Sequence, residues 1–157
     1  MTTEPDSPPT PEMLARARRV LDANAYLTLA TADADGRPWG TPVWFAERDA
    51  REFVWVSRTA RRHSQHLMER PEVALTVFDS TTPVGEAEAV YVEAVAGVVP
   101  DDELADALAI FSAKAEASVL PRWEASRVTG DAPFRLYRAV ATRVWVLDED
   151  EQRIRVR

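Results

Sequence analysis

Residues 26–46 read YLTLATADADGRPWGTPVWFA, and how this stretch alternates decides the fold. YLTLATA puts an apolar side chain at every second position, the period of a strand with one buried face. DADGR interrupts the pattern with a turn centred on Asp35-Gly36, and WGTPVWFA resumes it. Two extended runs joined through Asp-Gly make a hairpin. Pro42 has no N–H to offer a neighbour, so the second run belongs at a sheet edge, at a bulge or against a ligand.

The same reading extends along the chain. A turn over residues 47–51 leads to EFVWVS, which is apolar on both faces, as in a strand covered on both sides. EVALTVFD follows Pro71, a long strand is expected near AVYVEAVAGVV, and FRLYRAVATRVWVL reads as one long final strand. Three helices are expected at the breaks. Thr10 as N-cap and Pro11 in the first turn start one that runs to about Asn24, with Leu14, Ala17 and Leu21 on one face and Val20 beside them. A second starts after an N-cap at Ser57 or Thr59 and covers ARRHSQHLMER up to Pro71. The third covers DDELADALAIFSAKAEAS, with Leu104, Leu108 and Phe111 near helical spacing.

The tally is about six strands, mostly joined as hairpins, which favours an antiparallel sheet over a parallel one. A small closed or split antiparallel β-barrel with peripheral helices hides the edges most economically, giving a mainly β, α+β fold. Residues 1–10 are expected to be a disordered, proline-rich tail, 11–149 one domain, and 150–157 a charged and loose terminus.

Composition narrows the function. The chain is acidic, with 26 Asp plus Glu against 19 Lys plus Arg and a net charge of −7, which argues against a general nucleic-acid binder. The apolar runs are strand-sized, so no membrane span is expected, and the start does not read as a secretory signal. There is no cysteine, so disulfides and thiolate chemistry are excluded and a reducing cytoplasm fits. Neither a nucleophile-elbow pattern nor a glycine-rich nucleotide loop is present.

Against that acidity stands VSRTARRHSQHL, residues 56–67. Arg58, Arg61 and Arg62 gather beside both histidines, and no carboxylate interrupts the run from Phe53 to Met68. Free backbone N–H groups and guanidiniums at a helix start suit a phosphate. A solvated basic face paired with acidic neighbours is the other reading, and from these residues alone both stay open. His63 and His66 stand at i, i+3 without a third ligand in the stretch, so no metal is expected.

Taken in order, YLTLATADADGRPWGTPVWFA, EFVWVSRTARRHSQHLMERPEVALTVFDS and AVYVEAVAGVV resemble the pyridoxamine 5′-phosphate oxidase-like family of flavin-binding split barrels, over about Tyr26 to Val99. RLYRA and VWVLDED resemble a subgroup of it. The resemblance implies a homodimer with FMN at the interface. It puts the FMN phosphate on Arg61, Arg62 and His63, with Val56 and Ser57 near the phosphate and ribityl chain. It lays the flavin ring along the backbone of Thr41, Pro42, Val43 and Trp44, with Trp123 as a further apolar wall. Glu88 and Ala89 of the second chain would close the site.

Departures from the family pattern are specific. Arg61 and His63 stand where the family often has Ser and Lys, and Glu86, Ala87, Ala89 and Ala94 stand where close relatives often have Gly. True pyridoxamine 5′-phosphate oxidases carry a C-terminal Arg-x-His, whereas this chain has no histidine after His66, so pyridoxamine phosphate is not the expected substrate. The expectation is a cytoplasmic, homodimeric FMN-binding oxidoreductase acting on a small molecule or electron donor. The alternatives are a deazaflavin-dependent reductase on the same barrel, or a flavin-storing, flavin-sensing or cofactor-free dimeric domain.

Overall fold

A computed structural model describes residues 8–147 and 152–157. The expected hairpin is there: β1 (Tyr26–Ala32) pairs antiparallel with β2 (Pro38–Trp44) over their whole lengths. Asp33 shapes the turn, its Oδ1 accepting from the N–H groups of Asp35 at 3.0 Å and Arg37 at 2.8 Å. Gly36 sits at φ +83°, a region that only glycine enters cheaply.

The chain continues through β3 (Ala46–Arg48), β4 (Glu52–Arg58), β5 (Glu72–Phe78), β6 (Ala89–Val98), β7 (Phe134–Leu147) and β8 (Arg153–Arg155). All pairings are antiparallel, in the order β2-β1-β5-β6-β7-β4-β3, with β8 on β7. Among the described residues the count of eight exceeds the expected six because β3 and β8 are three-residue strands too short to show an alternating pattern. The sheet curls into a half-barrel with β2 brought up against β4, and no pairing bridges those two strands.

Two cores hold this shape, and β4 serves both. Its Phe53 and Trp55 point into the barrel among Leu29, Phe45, Leu75, Val92 and Tyr137, with Trp55 stacked 5.8 Å from the Tyr137 ring. Val54, between them, faces the other way beneath α3 (Leu104–Ala117), with Leu104, Leu108 and Phe111 above it. The strand is therefore covered on both sides, as its sequence implied. α1 (Pro11–Ala23) closes one end of the barrel, with Met13 N–H donating to Thr10 Oγ1 at 3.3 Å. Its buried face is Ala17, Val20 and Leu21, with Met13 packed against the same core, while Leu14, expected on that face, is 48% exposed. Lys114 links the layers: its ammonium donates to Asn24 O at 2.9 Å and lies 3.9 Å above the Phe45 ring.

Two expectations fail locally. Ser57 and Thr59 do not cap the second helix, because Ser57 is still in β4, and α2 (Arg62–Glu69) starts after Arg61 with no side-chain cap. The charged terminus is not loose over its described part: β8 pairs with β7, and Val156 is buried in the barrel core. The tail at 1–7 and residues 148–151 lie outside the described residues.

Gly36→Ala tests the hairpin. A Cβ there meets only Arg70 Nη1 at 3.9 Å, so the cost is backbone strain. The expected loss is about 1–2 kcal/mol in urea unfolding, with an unchanged denaturant slope.

Candidate functional site

The seam between β2 and β4 opens into a cleft of about 620 Å³. One wall is β2, through Thr41, Pro42, Val43 and Trp44, with Trp39 nearer the mouth. β2 is an edge strand, which accounts for Pro42 within it. The opposite wall is the end of β4, through Val56, Ser57 and Arg58. β7 pairs these residues on one side, but β3 covers only Glu52, Phe53 and Val54, so the last residues of β4 present an open edge. Backbone groups on such an edge need water or a ligand.

The floor is the start of α2, through Arg61, Arg62 and His63, with Phe134 of β7 alongside. The uncapped first turn leaves its N–H groups without a side-chain acceptor, and their partial positive charge adds to the guanidiniums. Among the described residues, no carboxylate lines the cleft. The Arg58 guanidinium lies 4.5 Å from the Phe134 ring centroid and that of Arg62 lies 4.5 Å from Trp39, so both rest on aromatic faces. Several arginines elsewhere are taken up by carboxylates, Arg48 by Glu52 and Asp106, Arg138 by Glu103 and Arg18 by Glu47, while Arg127 and Arg153 rest on Trp123 and Tyr91.

Both histidines are buried, each 6% exposed, and of the two only His63 lines the cleft. His63 Nε2 lies 2.7 Å from Ser57 Oγ. His66 Nδ1 lies 3.0 Å from Thr31 Oγ1, and Arg62 Nε donates to His66 Nε2 at 3.4 Å. The Thr31 hydroxyl in turn donates to Trp39 O at 3.4 Å, so β1, β2 and α2 are tied together at the mouth. Burial lowers the His63 imidazole below its ordinary 6.5, with the charges of Arg61 and then His66 acting in the same direction. His63 is therefore neutral at physiological pH.

Of the residues singled out from sequence, Thr41, Pro42, Val43, Trp44, Val56, Ser57, Arg61, Arg62 and His63 share this one cleft. Three lie elsewhere within a single chain. Trp123 packs edge-on against Phe111 and Phe134 with Arg127 3.7 Å over its ring, so it supports the cleft only from behind Phe134. Glu88 pairs with Arg16 at 3.4 Å and Arg19 at 3.0 Å, and Ala89 is buried at the start of β6. Trp39, Ala60 and Phe134 were not anticipated as lining, and Arg58, read from sequence only as part of the basic run, lines it too. Trp39 shares a strand face with Thr41, a spacing that could have shown it, whereas Phe134 arrives only through the β4–β7 register.

A sequence profile described as pyridoxamine 5′-phosphate oxidase matches residues 13–148. The chain belongs to that family. No curated protein matches the sequence. Solved structures of similar fold include a heme binding protein from Mycobacterium smegmatis, at 19% identity and TM-score 0.70, covering 95% of this chain and 58% of that one. A FAD-binding protein from Mesorhizobium loti matches at 23% identity and TM-score 0.62, covering 84% of this chain and 91% of that one. An F420 reductase matches at 22% identity and TM-score 0.58, covering 81% and 94%. The pyridoxamine 5′-phosphate oxidase fold thus carries different ligands in different proteins, and the cleft's own chemistry must choose among them.

The buried His63 makes stability pH-dependent. As pH falls below about 6.5 the unfolded chain takes up the proton first, so folding free energy is lost on the acid side. His63→Gln should flatten this part of the profile, read as melting temperatures from about pH 7.5 to about pH 5.

Proposed function

We propose that the cleft binds FMN and that the protein is a homodimeric, flavin-dependent oxidoreductase of the cytoplasm. The observation that carries the reading is the cluster of Arg58, Arg61 and Arg62 around an uncapped helix start, with no carboxylate among the described lining residues, in a chain of net charge −7. A terminal phosphate suits this floor: the first-turn N–H groups of α2, Arg61, Arg62 and the Ser57 hydroxyl would hold it. The open edges of β2 and β4 suit the polar rim of an isoalloxazine, and Val43, Trp44 and Val56 its apolar body. Flavin, when bound, supplies hydride or single-electron transfer. The chain's own part would be to orient the cofactor and anchor its phosphate, and no side chain in the cleft is placed as a general acid or base.

Both histidines are buried and already engaged, which disfavours axial ligation of a heme through imidazole. A deazaflavin cofactor would use the same phosphate floor and is the second enzymatic reading.

The dimer has its own support. Residues paired across the sheet share one outer face, and on it Thr28, Ala30, Pro42, Ala74, Val95 and Val140 are exposed and uncharged, with Glu72 and the Glu93–Arg143 ion pair among them. Pro42 belongs to both this face and the cleft, so a second chain seated there would stand at the cleft's rim.

The purified protein is expected to be yellow and to release FMN on heating. Arg61→Glu with Arg62→Glu should weaken FMN binding by about a hundredfold or more while the dimer persists in light scattering. A colourless protein that takes up neither flavin nor deazaflavin would end both enzymatic readings. Val95→Glu should shift the same chain toward monomer, because it replaces an exposed apolar contact with a third carboxylate beside Glu72 and Glu93.

A further inference from the structure

His63 lines the cleft, yet a neutral, buried imidazole is a poor direct partner for a dianion. Its Nε2 is already spent at 2.7 Å on Ser57 Oγ, and Ser57 is itself 9% exposed and part of the lining. A hydroxyl has one proton to give. If that proton pointed back at Nε2, the cleft would face the oxygen's lone pairs and repel an anion. With the proton on Nε2, the imidazole donates to Ser57 Oγ and the hydroxyl proton is turned outward.

We infer that His63 is a positioning residue that turns the Ser57 hydroxyl into a hydrogen-bond donor for an anionic phosphate ester in the cleft. This rests on the phosphate reading given above and deepens it: His63 acts through Ser57 and does not touch the ligand. The anion selects the Nε2–H tautomer, and the imidazole provides a fixed, dry backing that holds the hydroxyl in place. Arg61 and Arg62 supply the charge, while the His63–Ser57 pair supplies a directed donor. The pair therefore contributes to discrimination between a phosphorylated flavin and its unphosphorylated form more than to general affinity for the ring.

The test is a double-mutant cycle read with two probes, FMN and riboflavin, by flavin-fluorescence titration of the purified full chain. Ser57→Ala should weaken FMN about tenfold and leave riboflavin unchanged. His63→Leu should do the same, and Ser57→Ala with His63→Leu should be no worse than either alone. His63→Gln, whose side-chain amide can donate near the position of Nε2–H, should keep most of the FMN preference. If His63→Leu does not fold by circular dichroism, His63→Asn, whose shorter amide cannot reach Ser57, takes its place in the cycle. Losses that add in the double variant, or that fall equally on riboflavin, would overturn the positioning role while leaving the flavin reading intact. A native chain that binds FMN no better than riboflavin would overturn the phosphate reading, and this inference with it.

Discussion

β2 reaches β4 and does not pair with it. Every other neighbouring strand in the sheet exchanges backbone hydrogen bonds, so this seam is where the curl of the barrel stops short of closure. Pro42 marks one side as an edge, and the short reach of β3 leaves the last residues of β4 bare on the other. A closed seam would consume the backbone groups that now line the cleft and would cut Ser57 and Val56 off from any ligand. The opening is thus built from strand length and register, and the side chains around it only decide what it accepts.

Charge distribution then selects. An acidic chain repels anions over most of its surface, but its arginines are not spread evenly in their partners. Those on α1, β3 and β7 are largely neutralised by carboxylates, whereas Arg58 and Arg62 are laid on Phe134 and Trp39. An aromatic face steadies a guanidinium without cancelling its charge. The result is a cluster of three guanidiniums lining one cleft of a chain with net charge −7, an arrangement that favours an anionic ligand there.

Much of this was legible in the sequence because it depends on local pattern. Alternation in YLTLATA and the Asp35-Gly36 turn define the hairpin, and EFVWVS shows its double burial without reference to distant residues. The nine cleft residues recognised in advance come from two contiguous segments, so their grouping needed only that β2 and β4 lie near each other. What escaped depends on register between remote strands. Phe134 enters the cleft because it pairs with Arg58 across β7, and nothing near Phe134 in the chain announces that. Trp123 illustrates the converse: an aromatic with the right composition for a wall is drawn under α3 by Phe111. RIR failed to read as a strand because three residues carry no periodicity and two of these are charged.

β7 bears on how the protein is made. The β1–β2 hairpin is extended by β5 and β6 soon after they are made, whereas β4 first meets only the three-residue β3 and finds its full-length partner in β7, after α3 and a long irregular segment. On the ribosome, β4 must wait with its Phe53 and Trp55 uncovered until the final long strand has left the exit tunnel. That interval is the window in which a nascent chain is exposed to chaperones or to aggregation, and its length is set by the stretch separating β4 from β7. Slowing translation late in the message would lengthen it.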